Sequence, residues 1–285
     1  MTSKSVITVI EKAAEMKAYS NALRKAGKSI AFVPTMGALH EGHLSLMREG
    51  RKRADTLVVS IFVNPEQFGP GEDYNEYTRD TEGDLGKMER IGVDAVFIPG
   101  PEEIYPPGFQ TYVQVEELEK PLCGPFRPGH FRGVATVVLK LFNIVKADIA
   151  VFGQKDYQQW KIIERMARDL DLDIEILGLP IVREESGLAM SSRNAYLSDQ
   201  DTQRALSLSR ALLEIKSQFA NGTYETGKLV DSGKMALVRG SVGDVDYLEI
   251  RDGETLENKK EAACGDVAAV AARVGGARLI DNIIL

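Results

Sequence analysis

Apolar and polar positions follow two rhythms along this chain. Short, mostly apolar runs at 30–33, 57–63, 94–98, 148–152 and 174–179 have strand length, and several are continuous or rich in β-branched residues. Between them, at 42–53, 80–91, 133–146 and 157–170, apolar residues recur at helical spacing. Gly92 closes the second of these helices, and Pro99 ends the strand at 94–98. Continuous apolar runs belong to strands buried on both faces. The alternation therefore predicts an α/β fold, a doubly wound, mostly parallel sheet with helices on both sides. Ligands of such folds sit outside the carboxyl ends of the strands, so the segments just after each strand are the ones to read. The rhythm changes near 182. A polar stretch over 183–194 leads into a long helix at 199–219, a second helix at 228–238 and three short strand-like runs near Tyr247, Val267 and Leu279. This predicts a larger domain over 1–182 and a smaller α+β domain over 183–285, with no internal repeat and no long linker.

Composition narrows the classes. Of 285 residues, 44% are hydrophobic and 27% charged, an ordinary globular balance that needs no disulfide or metal staple. The net charge of -7 argues against broad nucleic-acid or membrane-surface binding and leaves room for a local basic pocket. Cys123 and Cys264 form no C-x-x-C pair, so free thiols and a cytoplasmic location are expected. The apolar stretch from Val6 to Ile10 is too short for a signal-peptide core. Lys140, Lys146 and Asp148 interrupt the apolar segment 133–152, so no membrane span is expected.

Four post-strand segments share an unusual vocabulary. The first is Pro34-Thr35-Met36-Gly37-Ala38-Leu39-His40-Glu41-Gly42-His43, which runs from the strand at 30–33 into a helix. It spends two of the chain's three histidines, and the third, His130, again follows a glycine. A Gly-punctuated turn into a helix N-terminus suits a phosphate, because unpaired N–H groups and the helix dipole both face it. The second segment, Asn64-Pro65-Glu66-Gln67-Phe68, follows the run at 57–63. The third, Gly153-Gln154-Lys155-Asp156-Tyr157-Gln158-Gln159, follows 148–152. The fourth is Met190-Ser191-Ser192-Arg193-Asn194. Together they offer imidazoles, a Lys, an Arg, hydroxyls and amides, an inventory for a nucleotide-like polyanion. The histidines also fit helix capping or a core role. His40 and His43 lie three apart, as metal ligands can, but no Cys/His/Asp cluster completes a tetrahedral set, so no metal site is assigned to them. No P-loop string and no convincing G-x-G-x-x-G is present.

The first segment resembles the HxGH signature of the nucleotidyltransferase superfamily, and Met190-Ser191-Ser192-Arg193 resembles its second, KMSKS-like signature. Taken together, PTMGALHEGH, SIFVNPEQF, RPGHFRGVATVV with LFNIVKADIAVFGQKDYQQ, and GLAMSSRNAYLS are similar to the pantothenate synthetase (pantoate–β-alanine ligase) family. The likeness runs from about 20 to 200 and extends to the closing stretch from Ala277 to Asn282. It implies a Rossmann-like sheet of nucleotidyltransferase type with a smaller C-terminal lid domain. The implied reaction is ATP-dependent condensation of (R)-pantoate with β-alanine to pantothenate, AMP and diphosphate through a pantoyl adenylate, within coenzyme A biosynthesis.

The same resemblance implies the site. His43, His40 and Lys155 would be catalytic. Met36, Gly37, Ala38, Leu39, His40, Glu41, Gly42 and His43 would line ATP, joined by Gly153, Gln154, Lys155, Asp156, Val182, Met190, Ser191, Ser192 and Arg193. Gln67 and Gln159 would bind pantoate, and Gln67 also β-alanine. Mg²⁺ would accompany the phosphates, and a homodimer with no nucleic-acid or membrane partner is implied. The stretch 69–77, with Gly69, Pro70 and Gly71, reads as a mobile lid. Two details depart from the family pattern: Tyr77-Thr78-Arg79 stands where Tyr-Pro-Arg is common, and Cys123 stands where Glu is frequent.

Overall fold

The computed structural model describes residues 7–285, so Val6, at the start of the N-terminal apolar stretch, lies outside the described residues. In chain order the elements are β1 (Thr8–Ile10), α1 (Ala13–Lys25), β2 (Ile30–Thr35), α2 (Glu41–Arg53), β3 (Thr56–Ile61), α3 (Thr81–Ile91), β4 (Ala95–Phe97), the one-turn α4 (Pro101–Ile104), α5 (His130–Val145), β5 (Ile149–Gly153), α6 (Tyr157–Asp169) and β6 (Glu175–Leu179). There follow α7 (Asp199–Ala220), α8 (Thr226–Arg239), β7 (Val245–Arg251), β8 (Val267–Val274) and β9 (Ala277–Ile284). Every strand and helix expected from periodicity is present. The pattern does not announce β1 or α1. β1 has three residues, and the apolar stripe of α1 is mostly alanine, with only Met16 and Ser20 buried.

The described residues form two compact units. The first takes the described part of Met1–Val115, with Arg127–Gln154 and Ile162–Pro180. Its sheet has six strands in the order β1-β4-β3-β2-β5-β6, all parallel. One face buries Ala31, Val33, Leu57, Val59 and Val96 against Leu46, Met47 and Met88 of α2 and α3. The opposite pleat of β2 sends Phe32 edge-on to Phe142 of α5, with ring centroids 6.5 Å apart, and Phe142 meets Phe152 of β5 at 6.4 Å. Side chains alternate faces every second residue, so one strand feeds both cores. The strand order grows outward from β2 through β3 to β4, and in the other direction from β5 to β6. The switch point therefore lies between β2 and β5.

The second unit takes Glu116–Phe126, Lys155–Lys161 and Ile181–Leu285. Its antiparallel sheet, β7-β8-β9, packs its apolar side on α7 and α8 through Leu208, Leu212, Ile215, Leu229, Leu237, Leu248 and Val270.

Candidate active site

Pro34 explains how the switch point opens. Along β2 the carbonyls alternate in direction: Ser29 accepts from Thr56 of β3, Ile30 from Asp148 beside β5, and Thr35 from Phe62. By that parity Pro34 turns its nitrogen toward β5, the side on which pairing has already ended at Phe32 and Ala150. A residue without an N–H thus costs no ladder bond, and β2 continues beside β3 while parting from β5.

The chain then turns through Gly37 (φ 82) and Ala38 (φ 51), both left-handed. A Cβ on Gly37 would stand 3.1 Å from Ile61 Cγ2 and 3.2 Å from Asp84 Oδ2, so a side chain there would be crowded as well as strained by the left-handed backbone. Ala38 in this region carries strain of about 1 kcal/mol, which its surroundings must hold. They do so through α3. Asp84, 1% exposed, accepts from Leu39 N at 2.8 Å, and Lys87 Nζ donates to Leu39 O at 2.9 Å. Both backbone polar groups of Leu39 are therefore tied to one helix. The sequence reading missed Asp84 and Lys87, because Asp and Lys three apart look like any solvated helix pair.

The loop delivers His40 to the N-cap of α2 and His43 to its first turn, where the two complete a capping box. His40 Nδ1 accepts from Gly42 N at 3.2 Å, and His43 Nδ1 accepts from His40 N at 3.3 Å. The rings lie 4.1 Å apart. With each Nδ1 accepting, the proton of the neutral ring sits on Nε2. The capping reading and the functional one are compatible, since capping uses only Nδ1. Glu41 pairs with Arg48 on the half-exposed side of the same turn, and the Arg48 hydrogen bond holds its carboxyl below the usual range.

Gln67 sits in a one-turn 3₁₀ helix, Pro65–Gln67, that is fastened to α5. A Cβ on Gly133 would lie 2.1 Å from Glu66 O, so only glycine permits this approach. Asn64 Nδ2 donates to Gly133 O at 3.1 Å and to Gln67 Oε1 at 3.3 Å, while Gln67 Nε2 reaches Met36 Sδ at 2.9 Å. Arg127 Nη1 donates to His130 Nε2 at 3.0 Å, which leaves Nδ1–H of that ring to donate to Gln67 O at 2.7 Å.

Arg127 also forks onto Glu72 at 2.9 and 2.6 Å, tying the 69–77 stretch down, and Phe68 packs on Tyr74 and Tyr77. Burial raises the Glu72 carboxyl, but the Arg127 bonds outweigh it and hold the group below the usual range. A carboxyl lowered in the folded state stabilises above its unfolded pKa and loses that contribution as pH falls through the folded value. The urea-midpoint gap between the chain and Glu72→Gln should be widest at neutral pH and close below about pH 4. A gap that does not change with pH would remove Glu72 from the account.

The remaining candidate residues divide between the units. Gly153 ends β5, and Gln154 Nε2 donates to Gly178 O at 3.3 Å in the first unit. In the second, Lys155 lends its carbonyl to Asn282 Nδ2 at 2.9 Å, and its ammonium lies 3.9 Å from Asp156. Gln158 is buried and spends its amide on Leu118 O, Pro121 O and Cys123 N, while half-buried Gln159 takes no part in that network. Val182 O accepts from Met190 N at 3.0 Å, and Ser191 Oγ caps a 3₁₀ turn, Ser192–Tyr196, that carries Arg193. Arg183 steadies this segment with a bidentate pair to buried Asp281 at 2.7 and 2.9 Å. Asp281 and Asn282, given no role by the sequence reading, thus hold Arg183 and Lys155 from adjacent positions on β9. Cys123 lies 3.2 Å from the Tyr247 hydroxyl and 3.7 Å from the Arg278 guanidinium, which is paired with Asp246.

A doubly wound parallel sheet whose switch point carries a histidine-capped helix N-terminus defines a nucleotide-binding α/β enzyme of the HxGH nucleotidyltransferase type. The model of the pantoate–β-alanine ligase family matches residues 8–284. The chain belongs to that family of ATP-dependent ligases, which join pantoate to β-alanine in pantothenate biosynthesis. It is 52% identical over 277 residues to the pantothenate synthetase of Geobacter sulfurreducens, covering 97% of this chain and 98% of that one. The crystal structure of pantothenate synthetase from Thermus thermophilus is similar at a TM-score of 0.92 and 46% identity, over 97% of this chain and 99% of that one. A Francisella tularensis pantoate–β-alanine ligase complexed with β-γ ATP and β-alanine has a TM-score of 0.81 and 31% identity, over 98% and 97% of the two chains.

Proposed function

We propose that the two half-reactions of the family are run by the candidate residues described above. A carboxylate oxygen of pantoate attacks the α-phosphorus of ATP, the bond to the β-phosphate oxygen breaks, and diphosphate leaves. The β-alanine amine then attacks the acyl carbon of the adenylate. AMP departs with one former pantoate oxygen, and the amine proton goes to solvent. Activation is needed because oxide is a poor leaving group and AMP a good one. No covalent enzyme intermediate is required, so alignment and charge stabilisation carry the rate.

The observation that carries this reading is that each ring of the histidine pair accepts a backbone N–H at Nδ1, which assigns the ring proton to Nε2. Nε2–H donors on His40 and His43, beside the N–H groups of the first turn of α2, suit the phosphates and the charge that builds on them. Gln67 and Gln159 take pantoate oxygens, and Gln67 also meets β-alanine. The roles of Gly153, Gln154, Lys155, Asp156, Val182 and Met190–Arg193 toward ATP are supported by the likeness of their motifs to the family's. Lys155→Ala should slow adenylate formation about tenfold, the scale of one charged hydrogen bond. Unchanged diphosphate release would remove Lys155 from the chemistry.

Mg²⁺ belongs to the same proposal. Among the described residues no three His, Cys, Asp or Glu side chains gather around a metal position. Phosphate oxygens and water are the hard ligands that suit this ion, and it would supply charge neutralisation on the triphosphate. We also assign the chain to a cytoplasmic homodimer. No helix of the described residues is long and apolar enough to cross a membrane, and sedimentation of the purified chain tests the dimer.

Pantoate labelled with ¹⁸O in its carboxylate tests the route. One label per turnover should appear in AMP. Label confined to pantothenate would exclude the adenylate.

A further inference from the structure

The amide of Gln67 has nearly the same shape at both ends and opposite polarity, so the end that meets a ligand decides what is recognised. Its neighbours make that choice here. Asn64 is 1% exposed, and each polar atom of its side chain has two partners. Oδ1 accepts from Glu66 N at 3.3 Å and from the Tyr105 hydroxyl at 2.8 Å, while Nδ2 donates to Gly133 O at 3.1 Å and to Gln67 Oε1 at 3.3 Å. A backbone N–H only donates and a backbone carbonyl only accepts, so Asn64 has a single orientation. Its Nδ2 requires Gln67 to keep Oε1 inward, and Nε2 is left pointing to Met36 Sδ at 2.9 Å. A thioether is a weak acceptor that a ligand oxygen readily replaces.

The Tyr105 bond is the shortest of the four on Asn64. The ring is packed by Phe62 and Phe109, with centroids at 6.4 and 5.1 Å, and the Lys140 ammonium stands 4.6 Å over Phe109. Burial, with the Glu66 charge adding, pushes the hydroxyl far above its usual range. It is therefore a donor at any working pH.

We propose that Tyr105 is a positioning residue for the hydroxy-acid substrate. Through Asn64 it holds the Gln67 amide with its N–H outward, so that position 67 reads an acceptor oxygen. The inference rests on the assignment of Gln67 to pantoate above, and it adds the polarity of that contact and the residue that sets it.

Steady-state constants for Tyr105→Phe, Gln67→Ala, Gln67→Glu and the Tyr105→Phe/Gln67→Ala double variant test it, with thermal melting as a check on folding. Tyr105→Phe keeps the ring and should raise the pantoate KM about fivefold, the scale of one neutral hydrogen bond, with the ATP KM unchanged. Gln67→Glu keeps the shape without the N–H and should lose as much as Gln67→Ala. In the Gln67→Ala background, Tyr105→Phe should add nothing. A full-sized Tyr105→Phe effect in that background, or a Gln67→Glu variant with an unaltered pantoate KM, would overturn the proposal. An unaltered pantoate KM in Gln67→Ala would overturn the underlying assignment of Gln67, and the proposal with it.

Discussion

Replacing His43 with alanine should slow pantoate-dependent diphosphate release about 10²- to 10³-fold, the loss expected when one preorganised donor is taken from a developing negative charge. The expectation comes from the tautomer. His43 Nδ1 is bonded to the His40 backbone N–H, which places the ring proton on Nε2 and orients the ring. The donor therefore needs no reorganisation when charge builds. The same substitution removes one half of a capping box, which costs about 1 kcal/mol of stability and leaves a folded protein. Melting and turnover separate the two effects. His43→Gln, whose amide N–H reaches close to the position of the imidazole Nε2, should recover part of the rate. Near-normal turnover of His43→Ala would take the histidine out of the chemistry.

Gly133→Ala should have the second largest effect, although residue 133 has no polar side-chain group and lies on a buried helix face. The added Cβ would stand 2.1 Å from Glu66 O, 2.5 Å from Glu66 C and 2.8 Å from Gln67 N. These are backbone atoms, so no rotamer change relieves the clash, and either α5 or the turn carrying Gln67 must move. A displacement of about 1 Å at a substrate-positioning residue costs on the order of 10²-fold in kcat/KM. The overpacking should also cost about 1–3 kcal/mol of stability. The predicted pattern is a loss in kcat/KM for pantoate with the ATP KM little changed. Equal losses toward both substrates would mean that the damage spreads through the whole sheet.

The parallel sheet is legible because its central strands, β2, β3, β4 and β5, are largely buried on both faces and read as mostly apolar runs, whereas the half-exposed edge strand β1 goes unannounced. The histidine pair is legible by scarcity and by its place between strand and helix. The supports of the site are not. Asp84 and Lys87 are spaced like a solvated ion pair, and only the fold shows that they clamp Leu39. Gly133 reads as a mildly unfavourable helix residue until the Pro65–Gln67 turn is laid against it. Asn64 has the look of an ordinary turn residue, and Asp281 lies almost 100 positions from its partner Arg183. Long-range hydrogen bonds leave no local periodicity. For the same reason nothing in the hydropathy announces that Glu116–Phe126 and Lys155–Lys161 join the second unit. Motif resemblance reached the candidate ligand-binding groups, and geometry was needed for what holds them.

A single-turnover experiment tests the two-step ligation through an acyl adenylate most directly. Enzyme in excess over ATP, mixed with pantoate and Mg²⁺ but no β-alanine, should release diphosphate promptly while AMP stays bound as the adenylate. Adding β-alanine should then release AMP together with pantothenate. AMP freed at the same rate with and without β-alanine, or ADP or a dinucleotide as product, would contradict the account.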